Sequence, residues 1–182
     1  MTAATRCAER CGVVGFSMED VANEAEMSRT TIYRYFPEGR AQLLTETVSW
    51  EIGRFWSRLA EAVMELPTFE DRLVAGLVIG RKMMAKSLIL ANLDDPGISE
   101  LLEAAQPAES LVQSVIRAYM RSQLDDEAAA GRVREGVDLD SAADYLSRMT
   151  LSWMGNSPGL DLSDDSTVRR FVQTQFLGPF LI

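Results

Sequence analysis

Between Ser17 and Phe36 the chain carries two short helical segments with a break near Glu26 and Met27. Ser17 with Asp20 reads as a capping box, in which hydroxyl and carboxylate satisfy the free amides of a helix start. Met18, Val21, Ala22 and Ala25 then recur at helical spacing and form one apolar stripe. Ser28 can cap a second helix, and Pro37 stops it. A turn of about 100° per residue puts Ser28, Ile32, Tyr35 and Phe36 on one arc, facing the protein. Arg29, Thr30, Tyr33 and Arg34 share the opposite arc, with Thr31 on its flank. That outward face offers two guanidinium groups, two threonine hydroxyls and a phenol to phosphates and base edges, and a slim helix fits the major groove. An amphipathic hairpin with a merely solvated polar face is the plainer alternative.

The rest of the chain reads as helix after helix. Thr2 to Cys11 suits a first helix ended by Gly12, so three helices fall within forty residues, the layout of a helix-turn-helix reader. From Arg40 to Leu66, residues Leu44, Val48, Phe55, Leu59, Val63 and Leu66 keep one buried stripe. Such a helix would reach about 40 Å, enough to join two modules. Pro67 breaks it, Thr68 with Asp71 forms another box, and a helix to about Leu90 turns Leu73, Leu77, Met84 and Leu88 inward. Asp94-Asp95-Pro96-Gly97 marks a turn before a short helix to about Ala105. The next helix, about Ala108 to Ala130, places Leu111, Val115, Ala118 or Tyr119 and Ser122 inward, flanked by Ile116 and Met120. Helices of about Asp140–Gly155 and Ser166–Leu177 follow, separated by Asn156-Ser157-Pro158-Gly159 and an acidic run. No strand alternation and no repeat is visible, so the expected fold is all-α.

Composition narrows the function. Hydrophobic residues make up 47% of the chain, enough for a globular core. The longest apolar runs are too short to span a bilayer and no signal peptide is visible, so a cytoplasmic protein without membrane attachment is expected. The net charge is −9. Residues 1–47 hold five arginines against seven carboxylates, and most of the acid lies beyond them. Nucleic-acid binding therefore has to rest on a few placed arginines, with weak non-specific affinity. There is no histidine, which removes the usual general base and the commonest metal ligand. Cys7 and Cys11 lie four apart on the first helix, poor geometry for a disulfide and too few ligands for zinc. We expect no catalytic residue, no metal and no cofactor.

The run Gly12…Phe16-Ser17-Met18-Glu19-Asp20-Val21-Ala22, then Ala25…Met27-Ser28-Arg29-Thr30-Thr31-Ile32-Tyr33-Arg34-Tyr35-Phe36 and Leu43-Leu44, resembles the TetR family of transcriptional regulators. The motif covers about the first 45 residues; beyond it the resemblance is one of architecture. It implies a helix-turn-helix DNA-binding domain at 1–45 and a helical ligand-binding and dimerisation domain at 46–182. It also implies a homodimer on a palindromic operator in double-stranded DNA, released by a small-molecule effector. Carried over residue by residue, Arg29, Thr30, Tyr33 and Arg34 fall at base- or phosphate-contacting positions, Thr31 and Tyr35 at phosphate-contacting ones, and Ser17 at a cap that meets the backbone. Two positions depart from the pattern: Glu26 stands where the turn usually has Gly, and Gly39 where a Lys usually follows the recognition helix, with Arg40 next to it as a substitute.

Candidate pocket residues are Trp56, Met83, Met84, Asn92, Gln113, Tyr119 and Trp153, because Met and aromatic side chains adapt to apolar ligands. Tyr145, Met149, Phe171, Gln175 and Phe176 on the last two helices are candidates for the dimer face. All of these could equally be monomer core. The leading expectation is a repressor released by a small apolar ligand; the alternative is a helical small-molecule-binding or interaction protein that has lost DNA reading.

Overall fold

The computed structural model describes residues 1–12, 15–91, 106–154 and 164–182, with the side chains of 106–112 left out. The described residues are helical, with one isolated bridge between Val133 and Leu181. The helices are α1 (Thr2–Cys11), α2 (Met18–Glu24), α3 (Arg29–Tyr35), α4 (Arg40–Val63), α5 (Phe69–Lys86) and α6 (Leu88–Ala91). They continue with α7 (Gln106–Ala129), α8 (Leu139–Met154) and α9 (Asp165–Phe171), which widens into a π-helical turn at Val172–Leu177. The expected turn at 92–97 and helix at 98–105, and the loop at 156–159, lie outside the described residues. Two compact units form, Met1–Trp56 with Met84–Glu109 and Ser57–Met83 with Ser110–Ile182.

In the first unit, one core gathers Ala4, Cys7 and Ala8 of α1, Phe16, Met18, Val21 and Ala22 around α2, and Ile32 of α3. Leu43, Leu44 and Val48 of α4 and Ile89 of α6 complete it. The small residues of α1 let its backbone come close to its neighbours, while Phe16, 1% exposed, fills the centre. Glu51 is buried at the edge of this unit, where it accepts from the Thr5 hydroxyl (3.2 Å) and pairs with Arg54 (3.0 Å). Burial without such partners would cost several kcal/mol, about 2–7 for an unpaired polar group.

In the second unit, Leu73, Val74, Leu77 and Val78 of α5 are buried, as are Ile116, Met120 and Leu124 of α7. Ala142, Ala143, Leu146 and Met154 of α8 and Val168, Val172, Phe176 and Leu177 at the end of the chain are buried too. Edge-on ring contacts run from Trp153 to Phe171 (4.6 Å between centroids) and from Phe171 to Phe176 (5.7 Å).

Two expected registers differ from those observed. The inward line of α7 is Ile116, Met120, Gln123 and Leu124, while Val115, Ala118 and Ser122 are exposed. Apolar residues there occupy a wider arc than the packed face, so periodicity alone centres the stripe wrongly. Leu88 is also exposed, because α5 stops at Lys86 and Ser87 restarts the chain as α6, its hydroxyl accepting from the Leu90 amide (3.3 Å). The inner line of α8 combines small and polar residues (Ala142, Ala143, Ser147, Thr150) with Leu146 and Met154, and Tyr145 is exposed.

Candidate nucleic-acid interface and effector-site residues

The two short helices are built as their local chemistry requires. The Ser17 hydroxyl accepts from the Asp20 amide (3.2 Å), and the Asp20 carboxylate accepts from the Ser17 amide (2.8 Å) and hydroxyl (2.6 Å). These bonds hold the Asp20 carboxyl below its usual range, the hydroxyl of Ser17 first among the causes. The turn after α2 places Glu26 in the left-handed region, at φ 55°. A non-glycine residue there costs about 1–2 kcal/mol. The Met27 amide, donating to the Ala22 carbonyl (2.8 Å), helps close the turn. Ser28 then caps α3, accepting from the Thr31 amide (3.1 Å), with the Thr31 hydroxyl 2.9 Å away.

Ile32, 3% exposed, fixes α3 to the core, and Arg29, Thr30, Tyr33 and Arg34 are all exposed. The arc is wider than expected, because Tyr35 is 58% exposed and does not face the protein. It ends the helix about 60° from Ile32 on the side away from Phe36. Phe36 fills the inward place there, and the Arg34 guanidinium lies over the Tyr35 ring at 5.8 Å. Gly39 has φ 77°, and its carbonyl accepts from the Leu43 amide (3.1 Å) as α4 starts. A lysine at this position would be forced into a strained backbone, so the departure has a conformational cause. The Arg40 side chain donates from Nε to the Phe16 carbonyl (2.9 Å), fastening the start of α4 to the connection before α2.

The remaining arginines of this region are held by acids. Arg10 and Arg6 reach the Glu24 carboxylate at 3.0 and 3.5 Å, which keeps its proton affinity below normal, Arg10 first. Arg29 is ion-paired with Glu19 of α2. The pair depresses the Glu19 carboxyl and raises the Arg29 guanidinium, in each case chiefly through the hydrogen bond between them. Arg34 forms no ion pair among the described residues. The pairing of Glu19 with Arg29 could not be singled out from sequence, because it joins residues on different helices.

The proposed pocket residues are distributed over both units. In the first, Trp56 is half-buried with its ring edge-on to Phe55 (5.1 Å), and Met84 is half-buried. In the second, Met83, Gln113, Tyr119 and Trp153 are half-buried, and the Tyr119 hydroxyl is enclosed, with the Arg72 guanidinium in its surroundings. Burial raises the proton affinity of that phenol. Asn92 lies outside the described residues. Nearby polar groups that periodicity did not single out are Arg72 of α5 and Gln123 of α7, joined at 2.7 Å. A groove of about 830 Å³ in the second unit is lined instead by ion-paired side chains, Arg169 with Glu70 and Asp71, and Arg132 with Glu127. Among the described residues no cluster of His, Cys, Asp and Glu could hold a metal, and no helix is long and apolar enough to cross a membrane.

On the expected dimer face, Tyr145 and Gln175 are exposed and adjacent, the Tyr145 hydroxyl donating to the Gln175 carbonyl (3.1 Å). Met149 and Phe171 are half-buried. Phe176 is 0% exposed and belongs to the monomer core, so it has no surface to offer a partner. It lies in the π-helical turn with Val172 and Leu177, which are buried too.

A capped two-helix turn with an outward polar helix, followed by a long helix and further helices, defines a helix-turn-helix fold. Residues 1–47 match the model of the bacterial regulatory proteins of the tetR family. That match covers the N-terminal domain, and the fold of the chain is similar to that of solved TetR-family regulators. It is similar to a TetR-family transcriptional regulator from Mesorhizobium loti MAFF303099, at 22% identity over 100% of this chain and 94% of that one, TM-score 0.63. It is similar to the fatty acid degradation regulator FadR from Bacillus halodurans (17%, 97% and 93%, TM-score 0.60). A third is the transcriptional regulator FadR from Bacillus subtilis, solved in complex with stearoyl-CoA (17%, 94% and 94%, TM-score 0.57). No curated protein matches the chain.

Proposed function

We propose that this chain is a homodimeric repressor that reads a palindromic operator through α3 and leaves it when a small apolar effector binds the helical C-terminal part. The DNA-binding part is residues 1–45, and residues 46–182 bind effector and dimerise. The observation that carries the reading is the exposed face of α3, with Arg29, Thr30, Tyr33 and Arg34 outward while Ile32 is anchored in the core. Thr31, Tyr35 and Ser17 would add phosphate contacts at its margins, with Arg40 bracing the α4 start.

The mechanism is a shift of population between two dimer geometries. Paired recognition helices must meet half-sites about 34–36 Å apart, and an effector that favours another spacing releases the DNA. Tyr145, Met149, Phe171 and Gln175 supply the dimer face in this reading. Met83, Gln113, Tyr119 and Trp153 of the second unit would contact the effector, and the stearoyl-CoA held by the Bacillus subtilis FadR supports an acyl-like one.

The test is binding of the purified protein to random duplexes and to its own upstream DNA, repeated with Arg29→Ala/Arg34→Ala and with acyl compounds added. Sequence-selective, salt-sensitive binding that the double variant loses and an acyl compound releases is expected. Failure of the wild type to select any duplex overturns the reading, and a helical small-molecule-binding protein without DNA reading then replaces it.

A further inference from the structure

One side of α5, within the second unit, is neither core nor open surface. Arg72, Gly76, Ile79 and Met83 fall within about 60° of one another around the helix, and all four are half-buried. From Arg72 to Met83 this line runs about 16 Å. A Cβ built on Gly76 meets nothing within 4 Å among the described residues, so the middle of the line is open. At its start the Arg72 guanidinium donates from Nε to the Leu66 carbonyl (2.8 Å) and from Nη1 to Oε1 of Gln123 (2.7 Å). Both acceptors are neutral, and Arg72 forms no ion pair among the described residues. Asp71, its neighbour in the chain, is committed to Thr68 and Arg169. Gln123 is only 8% exposed, and the enclosed Tyr119 hydroxyl has the same guanidinium in its surroundings.

We propose that the effector is a linear alkyl carboxylate, its head held by Arg72 with Tyr119 and Gln123 and its chain laid over Gly76 toward Met83. This deepens the effector-binding part of the function proposed above and rests on it. A half-buried cation without a counter-charge carries a desolvation cost that a carboxylate would offset. The planar guanidinium fork matches a carboxylate, and the two bonds described leave its Nη2 for one. Burial raises the proton affinity of the Tyr119 phenol, which keeps it a donor. The Gln123 amide oxygen is spent on Arg72, so its remaining polar capacity is the NH2 donor. The cluster is therefore rich in donors and poor in acceptors, which favours an anion over an amine or an alcohol. Ile79 and Met83 offer apolar surface to a methylene chain, and the thioether adapts to its length.

The test titrates decanoate and decanol, which share a chain and differ in the head, into the purified full chain near neutral pH, followed by calorimetry. Decanoate is expected to bind at least about tenfold more tightly than decanol. Arg72→Met should bind the two about equally, and Tyr119→Phe should reduce the preference by about threefold. Gly76→Leu, which fills the open middle of the line, should weaken both ligands by more than about tenfold. Thermal melts confirm that each variant is folded. Tyr119→Phe and Gly76→Leu keep the bond from Arg72 to Leu66, so they decide the matter if Arg72→Met unfolds. Equal binding of the two ligands by the wild type, or binding of neither, overturns the proposal. A preference that survives Arg72→Met, or an affinity that Gly76→Leu leaves unchanged, overturns it as well. A protein that binds decanoate as expected but selects no duplex loses the DNA-reading function and keeps this one.

Discussion

Gly80 of α5 lies so close to Met154 of α8 that a Cβ built on it would stand 2.4 Å from the Met154 Cε and 3.3 Å from a Leu59 methyl. The methionine is 2% exposed and has little room to retreat. Glycine at this point is what lets the helices approach.

Gly80 should accordingly behave differently from Gly53, where an added Cβ meets nothing. Replacing Gly53 by Ala is expected to stabilise the protein by up to about 1 kcal/mol, the helix-propensity difference. Gly80→Ala should forfeit that gain, and Gly80→Val should destabilise by about 1–3 kcal/mol through overpacking. Urea melts of the three variants check the order.

Gly39 holds φ at 77°, which a side chain opposes. Gly39→Lys, restoring the residue more usual after a TetR recognition helix, is expected to lower stability by about 1–2 kcal/mol. A thermal melt that shows no loss would contradict this account of the departure.

Ile32 and Phe176 anchor the two units, at 3% and 0% exposure. Ile32→Ala should cost about 2–5 kcal/mol and Phe176→Ala about 3–5 kcal/mol. In the proposed dimer, Tyr145→Arg, on the exposed surface beside Gln175, should shift sedimentation toward monomer.

Acid should weaken the helix starts. Asp20, Asp71, Asp138 and Asp164 all have carboxyls held below their usual values by hydrogen bonds, chiefly from Ser17, Thr68, the Ser141 amide and Thr167. Around the unfolded value of 3.8 the native state binds fewer protons than the unfolded one, so stability rises with pH there. The stabilisation is complete above that value and is lost as pH falls through and below it. Alanine at any one of these positions should reduce the loss between pH 5 and pH 3, as read by thermal melts at intervals across about that range.

The hairpin, the helix starts and most of the α4 stripe were legible because each depends on residues within a few positions of one another. Ser17 with Asp20, Ser28 before Thr31 and Thr68 with Asp71 are local bonds, and all three form. Glu26 and Gly39 also announce themselves locally, as an exception to and an example of left-handed backbone.

What the amino-acid sequence determined by itself was the class: helices, their approximate ends, and an arginine-bearing short helix set after a capped one. Only the tertiary structure decided which arc of each helix is covered. Periodicity shows that α7 has an apolar side, but its neighbours choose Ile116, Met120 and Leu124 and leave Val115 in water. The same holds for charge. Glu19 and Arg29 are ten positions apart on separate helices, and no local rule brings them together. Phe176 reads equally as dimer face or monomer core, and only the packed chain places it at 0% exposure. Contacts within a turn of helix follow from short-range bonding, whereas burial and ion pairing between helices depend on packing that only the assembled chain defines.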